Sequence, residues 1–347
     1  MSSYTTNTTL AEIADKIRGV VATGGKIAVM THSKPDGDAA GSSLGVARAI
    51  AQIGGDVEVW HAGAIPAWVP ALFASTPLTL VDKTGIPAAD YALALVLDTG
   101  AWSQLENTKA FLAPRTAANI VIDHHRHGDA DVAAMRFVDT GAAAVCEIAA
   151  ELCRLIVKVD SVTKLKKDIA HPLYLGMATD TGWFRHSNVT GRLLRAAADC
   201  VEAGAEPSML YQLTEQQDRP QRLKLLSRAL ASMELHASNA VAILSLTKED
   251  FAATGAEISE TGGFVDFPAL IPNVRVVAVL TETQDAQGKP LTKISFRSKA
   301  GNNAVDVNTI AQKFGGGGHF AAAGGRTPLP LGEAKAAVIA ALSQAVK

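Results

Sequence analysis

The stretch "THSKPDGDAAGS" at residues 31–42 gathers His32, Asp36 and Asp38 into one short loop. Carboxylates this close repel one another unless positive charge sits among them, and a divalent cation supplies it. Pro-Asp-Gly is also ordinary turn chemistry, so the loop taken alone fits either account. Three further segments carry the same residue types: "YALALVLDTG" reaches Asp98, "ANIVIDHH" ends on Asp123-His124-His125, and "YLGMATDTGWFRHSN" holds Asp180. An aspartate at a loop start is often a helix cap, and a lone histidine is usually structural. Recurrence in four segments favours a shared site. Carboxylates with a minority of imidazoles suit Mn²⁺ or a neighbouring first-row ion such as Co²⁺ better than an all-oxygen Mg²⁺ site. No cysteine joins the set, which argues against structural zinc. The candidates are too many for one ion and suit two sharing a bridging carboxylate. Two ions about 3.5–4 Å apart can lower the pKa of a bridging water and clamp a phosphoryl group for in-line attack. The expected chemistry is hydrolysis of a phosphate ester.

Such a site needs a scaffold that brings distant loops together. "KIAVMTH", "DVEVWHA", "YALALVLDTG" and "ANIVIDHH" read as short apolar strands, alternating with amphipathic helices such as "GSSLGVARAIAQIG". That pattern predicts a parallel sheet covered on both faces, with ligands at the carboxyl ends of its strands. His32, Asp98 and Asp123 all fall at such ends. Residues 9–23 carry a helical pattern stopped by Gly24-Gly25, and helices are expected over 142–158 and from 167 to 179. "LLRAAADCVEAG", "PSMLYQLTEQQ" and "RPQRLKLLSRALASMEL" are three more. The character then shifts to "NAVAILSLT", "VRVVAVLTET" and "LTKISFRS", strand-like runs with "DAQGKP" as a hairpin turn, followed by a short helix, a glycine run and a last helix. The expected fold is α/β: a mainly parallel-sheet domain over 1–190, a helical connector over 191–235 and a smaller α/β domain over 236–347.

Bulk properties bound the partners. The 347 residues suffice for two ordinary domains, and a net charge of −2 provides no basic field for long duplex nucleic acid. Three cysteines without a C-x-x-C arrangement fit a reduced, cytoplasmic setting. No secretory signal is expected from the opening residues, and no run approaches the roughly 20 apolar residues of a membrane span. A homodimer is compatible with these properties.

The run "GGGGHFAAAGG" invites two accounts. Backbone N–H groups free of Cβ atoms can approach an anion closely, as in phosphate-binding nests, with His319 as a further donor. Small residues packed where a helix meets a sheet would look the same. Arg297, in "FRS", suits bidentate contact with a phosphate, although a surface strand arginine is the commoner case. Arg185 and Asn188 either line the cleft or fix the loop after Asp180. His61, His171, His186 and His236 read as ordinary packing or surface residues, and Trp60, Trp68, Trp102 and Trp183 are too scattered for a base-stacking platform.

In this order, "THSKPDGDAAGS", "VLDTG", "IDHH" and "MATDTGWFRHSN" resemble the ordered motifs of the DHH phosphoesterase superfamily, and "FRSKAGNNAVDVNTIAQKFGGGGHFAAAGG" resembles its DHHA1 domain. The resemblance covers nearly the whole chain. Size and the lack of extra domains look most like the NrnA-type members, which degrade very short RNA and often dephosphorylate 3′-phosphoadenosine 5′-phosphate (pAp). It implies that 1–190 is the catalytic DHH domain and 236–347 the substrate-binding DHHA1 domain. By position it assigns His32 and Asp36 to one metal, Asp38, His124 and Asp180 to the other, and Asp98 to both. His125 would lie beside the scissile phosphate, as a contact or as proton donor to the leaving oxygen, with Asp123 supporting it. Ala101 stands where many relatives have a polar residue. Arg297, Ser298, Gly316, Gly317, Gly318 and His319 would hold the nucleotide end while the first domain cuts, which favours short substrates. The implied activity is Mn²⁺-dependent hydrolysis of short oligoribonucleotides, linear dinucleotides or pAp. The competing readings are an inorganic pyrophosphatase or polyphosphatase, whose second domain differs, and a catalytically silent nucleotide-binding regulator, which would lack a metal ligand.

Overall fold

The runs "KIAVM", "YALALVL" and "NIVID" are apolar for nearly their whole length, as strands buried on both faces must be. The computed structural model, which describes residues 4–285 and 287–347, makes them the centre of a parallel sheet. The chain divides into two compact units, 1–216 and 217–347.

The first unit runs α1 (Leu10–Ala22), β1 (Lys26–Met30), α2 (Gly37–Gln52), β2 (Val57–His61), α3 (Val69–Phe73), β3 (Leu78–Leu80), α4 (Val81–Thr84) and β4 (Tyr91–Leu97). It continues through α5 (Lys109–Leu112), β5 (Asn119–Asp123), β6 (Met135–Val138), α6 (Val145–Val157), α7 (Lys167–Asp180), α8 (Gly191–Glu202) and α9 (Pro207–Glu215). All six strands are parallel, in the order β3-β2-β1-β4-β5-β6. The order reverses between β1 and β4, and such a switch point opens a crevice at the carboxyl ends of those two strands. One core packs α1, α2, α6 and α7 on one face, and a second core, with Trp60 and Tyr91, lies on the other. Helix α1 begins at a capping box between Thr9 and Glu12.

Helices α2 and α7 sit unusually close, for a reason written in the sequence. Gly37, Gly41 and Gly45 recur every fourth residue and form one stripe. A β-carbon on Gly41 would lie 2.3 Å from the Pro172 carbonyl oxygen, and one on Gly45 would lie 2.7 Å from Leu173. The contact brings the start of α2 beside the end of α7, so Asp38 and Asp180 meet.

The second unit runs α10 (Pro220–Ala231), β7 (Glu234–His236), β8 (Val241–Leu246), α11 (Lys248–Thr254), β9 (Val276–Gln284), β10 (Pro290–Ser298), α12 (Val307–Gln312), β11 (Gly317–Gly318), β12 (Ala322–Thr327) and α13 (Leu331–Ala345). Its sheet is mixed, in the order β11-β12-β10-β9-β8-β7, with β8 and β9 parallel and the other pairs antiparallel. Ala286, in the expected "DAQGKP" turn, lies outside the described residues, as do residues 1–3. Strand β12 is a difference from the sequence reading: half of the glycine–alanine run is a paired strand, and no apolar alternation marks it. The stretch 191–235 divides near Gln216. Leu193, Ala197, Cys200 and Leu210 join the first unit's core, while Leu225, Leu226 and Ala229 join the second's.

Candidate active site

At the crevice beyond β1 and β4, the loops gather acids and imidazoles from four segments. His32 follows β1, Asp36 and Asp38 open α2, Asp98 follows β4, Asp123-His124-His125 closes β5, and Asp180 ends α7. Three overlapping groups could each hold a metal ion: His32–Asp36–Asp98, Asp38–His124–Asp180 and Asp98–His124–His125. Asp98 lies between the two histidine sides. Its Oδ2 is 3.4 Å from His32 Nε2, and its Oδ1 is 3.3 Å from His124 Nε2. His32 Nε2 is also 3.8 Å from Asp36, while His124 Nε2 is 3.9 Å from Asp38 and 3.8 Å from Asp180.

Both imidazoles are aimed from behind. His32 Nδ1 donates to the Ser33 carbonyl at 3.0 Å and His124 Nδ1 to the Ala142 carbonyl at 3.3 Å, so each presents Nε2 to the cluster. The aspartates are fixed just as firmly. Asp36 caps α2, its Oδ1 accepting from the N–H groups of Asp38 and Ala39. Asp38 is buried and accepts from Val145 N at 2.6 Å and Cys146 N at 2.9 Å. It thereby satisfies first-turn donors of α6, whose own N-cap, Ala144, has no side chain to do so. Asp98 has φ of 64°, a left-handed conformation uncommon for a residue other than glycine, and its N–H is tied to Ile122 O at 3.0 Å.

The electrostatics call for a cation. Asp98 is 3% exposed, and its Oδ1 has no hydrogen-bond partner among the described residues. Burial pushes Asp38 well above the usual carboxylate range, and the neighbouring Asp98 and Asp180 add to it. Burial likewise lifts Asp180 to about 6, against the pull of His124. Burial alone would lower the imidazoles, but hydrogen bonds to Asp36 and Asp98 raise His32 to about 11, and the acids around His124 raise it to about 10. Acids packed this closely favour the protonated imidazoles, as they would favour a bound cation. The donor set and the unpartnered Asp98 oxygen therefore fit divalent metal.

Asp123 plays a different part. It is fully buried, and its Oδ1 accepts from the backbone of His124 and His125 and, at 2.8 Å, from His125 Nδ1. That bond raises the His125 pKa and leaves Nε2 free, on a side chain 55% exposed. The other Asp123 oxygen accepts from Tyr4, a partner 119 residues away that no motif announces. Arg185 and Asn188 bond to carbonyls of Gly182, Ala143 and Asp180, and so fix the loop after α7.

In the second unit, Thr261, Gly263, Lys293, Arg297, Gly317 and Gly318 line a concavity of about 430 Å³. Arg297 Nε pairs with Asp266 at 3.1 Å, the arginine half-buried and the aspartate exposed, an ion pair weak enough to exchange for a phosphate. Ser298 instead turns inward, its hydroxyl accepting from Val305 N at 2.7 Å and so holding the loop after β10. Gly316 is required by packing, since a β-carbon there would lie 1.9 Å from the Gly324 carbonyl oxygen. Gly317 and Gly318 are exposed, and the Gly318 N–H donates to Asn308 Oδ1 at 2.9 Å. His319 is exposed at the turn into β12.

The family model for the DHH family, N-terminal domain, matches residues 26–177, and that for the DHHA1 domain matches residues 239–347. The bifunctional oligoribonuclease and PAP phosphatase NrnA of Thermus thermophilus is 31% identical over 308 residues, covering 86% of this chain and 83% of its own. The chain belongs to the DHH–DHHA1 phosphoesterase superfamily, among its NrnA-like members. The NrnA protein of Bacillus subtilis is 26% identical over 84% of this chain and 86% of its own. The crystal structure of an exopolyphosphatase-related protein from Bacteroides fragilis superposes with a TM-score of 0.80 at 26% identity, covering 95% of each chain. The crevice acids and histidines thus lie in or just beyond the matched DHH segment, and the cavity with Arg297 lies in the DHHA1 domain.

Proposed function

We propose that this chain is a two-metal, Mn²⁺-dependent phosphoesterase that hydrolyses short oligoribonucleotides, linear dinucleotides and pAp. The observation that carries the reading is Asp98, buried between His32 and His124 with an unpartnered oxygen. The names of the Thermus thermophilus and Bacillus subtilis relatives support the substrate class. In this reading His32, Asp36 and Asp98 hold one ion, and Asp38, His124, Asp180 and Asp98 hold the other. Mn²⁺ suits the mixture of carboxylates and imidazoles better than Mg²⁺. Divalent ions held there supply Lewis acidity toward the phosphoryl oxygens and a lowered pKa for the attacking water.

The chain's own groups do the rest. His125, with Nδ1 committed to Asp123, presents Nε2 to the phosphate, either as a contact or to protonate the leaving oxygen. Arg297, the exposed backbone at Gly317 and Gly318, and His319 receive the nucleotide's terminal phosphate, the Gly318 N–H being exchanged from Asn308 Oδ1, with Ser298 and Gly316 shaping their loops. The test is Mn²⁺-dependent release from pAp, an RNA dimer, a 24-nucleotide RNA and pyrophosphate, with Asp98→Asn beside the native protein. Turnover of the dimer or pAp that disappears in Asp98→Asn supports the reading. Turnover of pyrophosphate alone moves the assignment to a pyrophosphatase, and tight nucleotide binding without turnover moves it to a regulator.

A further inference from the structure

Before α1, Thr6 and Asn7 bond to β6 and to Ala134 just ahead of it. Thr6 Oγ1 donates to Val138 O at 2.7 Å and accepts from Val138 N at 2.8 Å. Asn7 N donates to Arg136 O at 2.9 Å, Asn7 Oδ1 accepts from Arg136 N at 2.7 Å, and Asn7 Nδ2 donates to Ala134 O at 2.8 Å. This docking covers the edge strand and carries Tyr4 to the carboxyl end of β5. There the phenol donates to Asp123 Oδ2 at 2.5 Å, while Oδ1 serves the two backbone N–H groups and His125 Nδ1.

The space around the ring is an independent observation. A β-carbon on Gly100, in the loop after β4, would lie 2.0 Å from the Tyr4 hydroxyl, and one on Gly128, in the loop after β5, would lie 2.5 Å from Tyr4 Cζ. Glycines from two separate loops thus leave the slot that the ring fills. A tyrosine that merely covered the sheet edge would need neither this slot nor a buried carboxylate beneath its hydroxyl.

We propose that Tyr4 is a positioning residue for the hydrolysis: it holds Asp123 so that Asp123 holds the His125 imidazole toward the phosphate. The inference rests on the part given to His125 in the proposed function. With Oδ2 tied to the phenol, the carboxylate cannot turn about its Cβ–Cγ bond, and Oδ1 stays in line with His125 Nδ1. Without the hydroxyl, a fully buried oxygen loses its donor and the plane of the carboxylate is held through Oδ1 alone. Direct partners of a site's functional groups typically influence activity by about 10- to 100-fold, and Tyr4, one bond further out, belongs at the lower end.

The test compares Tyr4→Phe with Thr6→Ala, which loosens the same segment without touching Asp123. Two quantities are read: kcat and KM on the best substrate of the panel, and the NMR resonance of the His125 Nδ1 proton in Mg²⁺-loaded, substrate-free protein. Tyr4→Phe is expected to lower kcat about 10-fold at unchanged KM and to shift that resonance, with Thr6→Ala changing neither. Gly128→Ala, which displaces the ring from its other side, is expected to reproduce Tyr4→Phe and serves if that variant folds poorly. An unchanged kcat or an unmoved resonance in Tyr4→Phe overturns the proposal, as does an equal effect from Thr6→Ala. A native protein that turns over nothing would sink the proposed function instead, and the resonance, read without substrate, separates the two failures.

Discussion

Asp98 combines a left-handed backbone, near-complete burial and an unpartnered carboxylate oxygen, and each of these costs free energy in the metal-free chain. Asn tolerates the same backbone, so Asp98→Asn isolates the charge. It is expected to reduce phosphoesterase turnover by more than about 100-fold, beyond the loss typical of an outlying partner. The metal-free thermal midpoint should meanwhile fall only slightly, because His32 and His124 lose a partner while one carboxylate leaves an acidic cluster. Equal losses of activity and stability would contradict this. Proton binding gives a second prediction. His32, held near 11, and His124, held near 10, are both protonated at neutral pH without metal. A metal-binding imidazole must be neutral, so binding at pH 7 releases protons, and affinity climbs as pH rises toward 10 and weakens as it falls. Calorimetry in buffers of different ionisation heat should find that release, with affinity changing by up to about tenfold per pH unit for each proton lost. Affinity independent of pH between about 6 and 9 would contradict it.

Asp36 and Asp38 carry helix ends as well as the site, one capping α2 and the other receiving donors of α6. The turn-and-cap account holds for both, and the proposed metal account is compatible with it in the same side chains. They separate by substitution. Asp36→Ser keeps an N-cap oxygen and should hold the thermal midpoint nearly constant while activity collapses, whereas Asp36→Ala should lose activity and also about 1 kcal/mol of stability. Unfolding curves of the two variants check the difference; equal stability would contradict it. The strand ends bearing His32, Asp98 and Asp123 were legible because long apolar runs stop abruptly at polar residues. The stripe Gly37, Gly41, Gly45 carried no expectation, because a four-residue spacing does not name the partner helix. Strand β12 was hidden because glycine and alanine carry no inside–outside alternation. Tyr4 was hidden because its partner lies 119 residues away and a hydroxyl on a carboxylate has no local signature.

Two compact units, each with its own sheet and its own cores, fold this chain, and the candidate metal residues all lie in the first. The helices between the domains were legible as helices, but their division near Gln216 depends on which apolar faces find which core. Metal should therefore stabilise one unit selectively. At about 100 times its dissociation constant, a bound ion adds about 2.7 kcal/mol to the state that binds it. Scanning calorimetry with excess Mn²⁺ should move the transition of the first unit upward and leave that of the second in place. Joint movement of both would contradict independent units, and movement of neither would contradict metal binding.

The central claim is that Asp98 joins two metal positions. A Mn²⁺ titration followed by electron paramagnetic resonance tests it most directly. The account predicts two ions per chain with the broadened, exchange-coupled spectrum of a close pair, and loss of that coupling in Asp98→Asn. A single isolated six-line signal at saturation, or a coupled pair that survives Asp98→Asn, would contradict it.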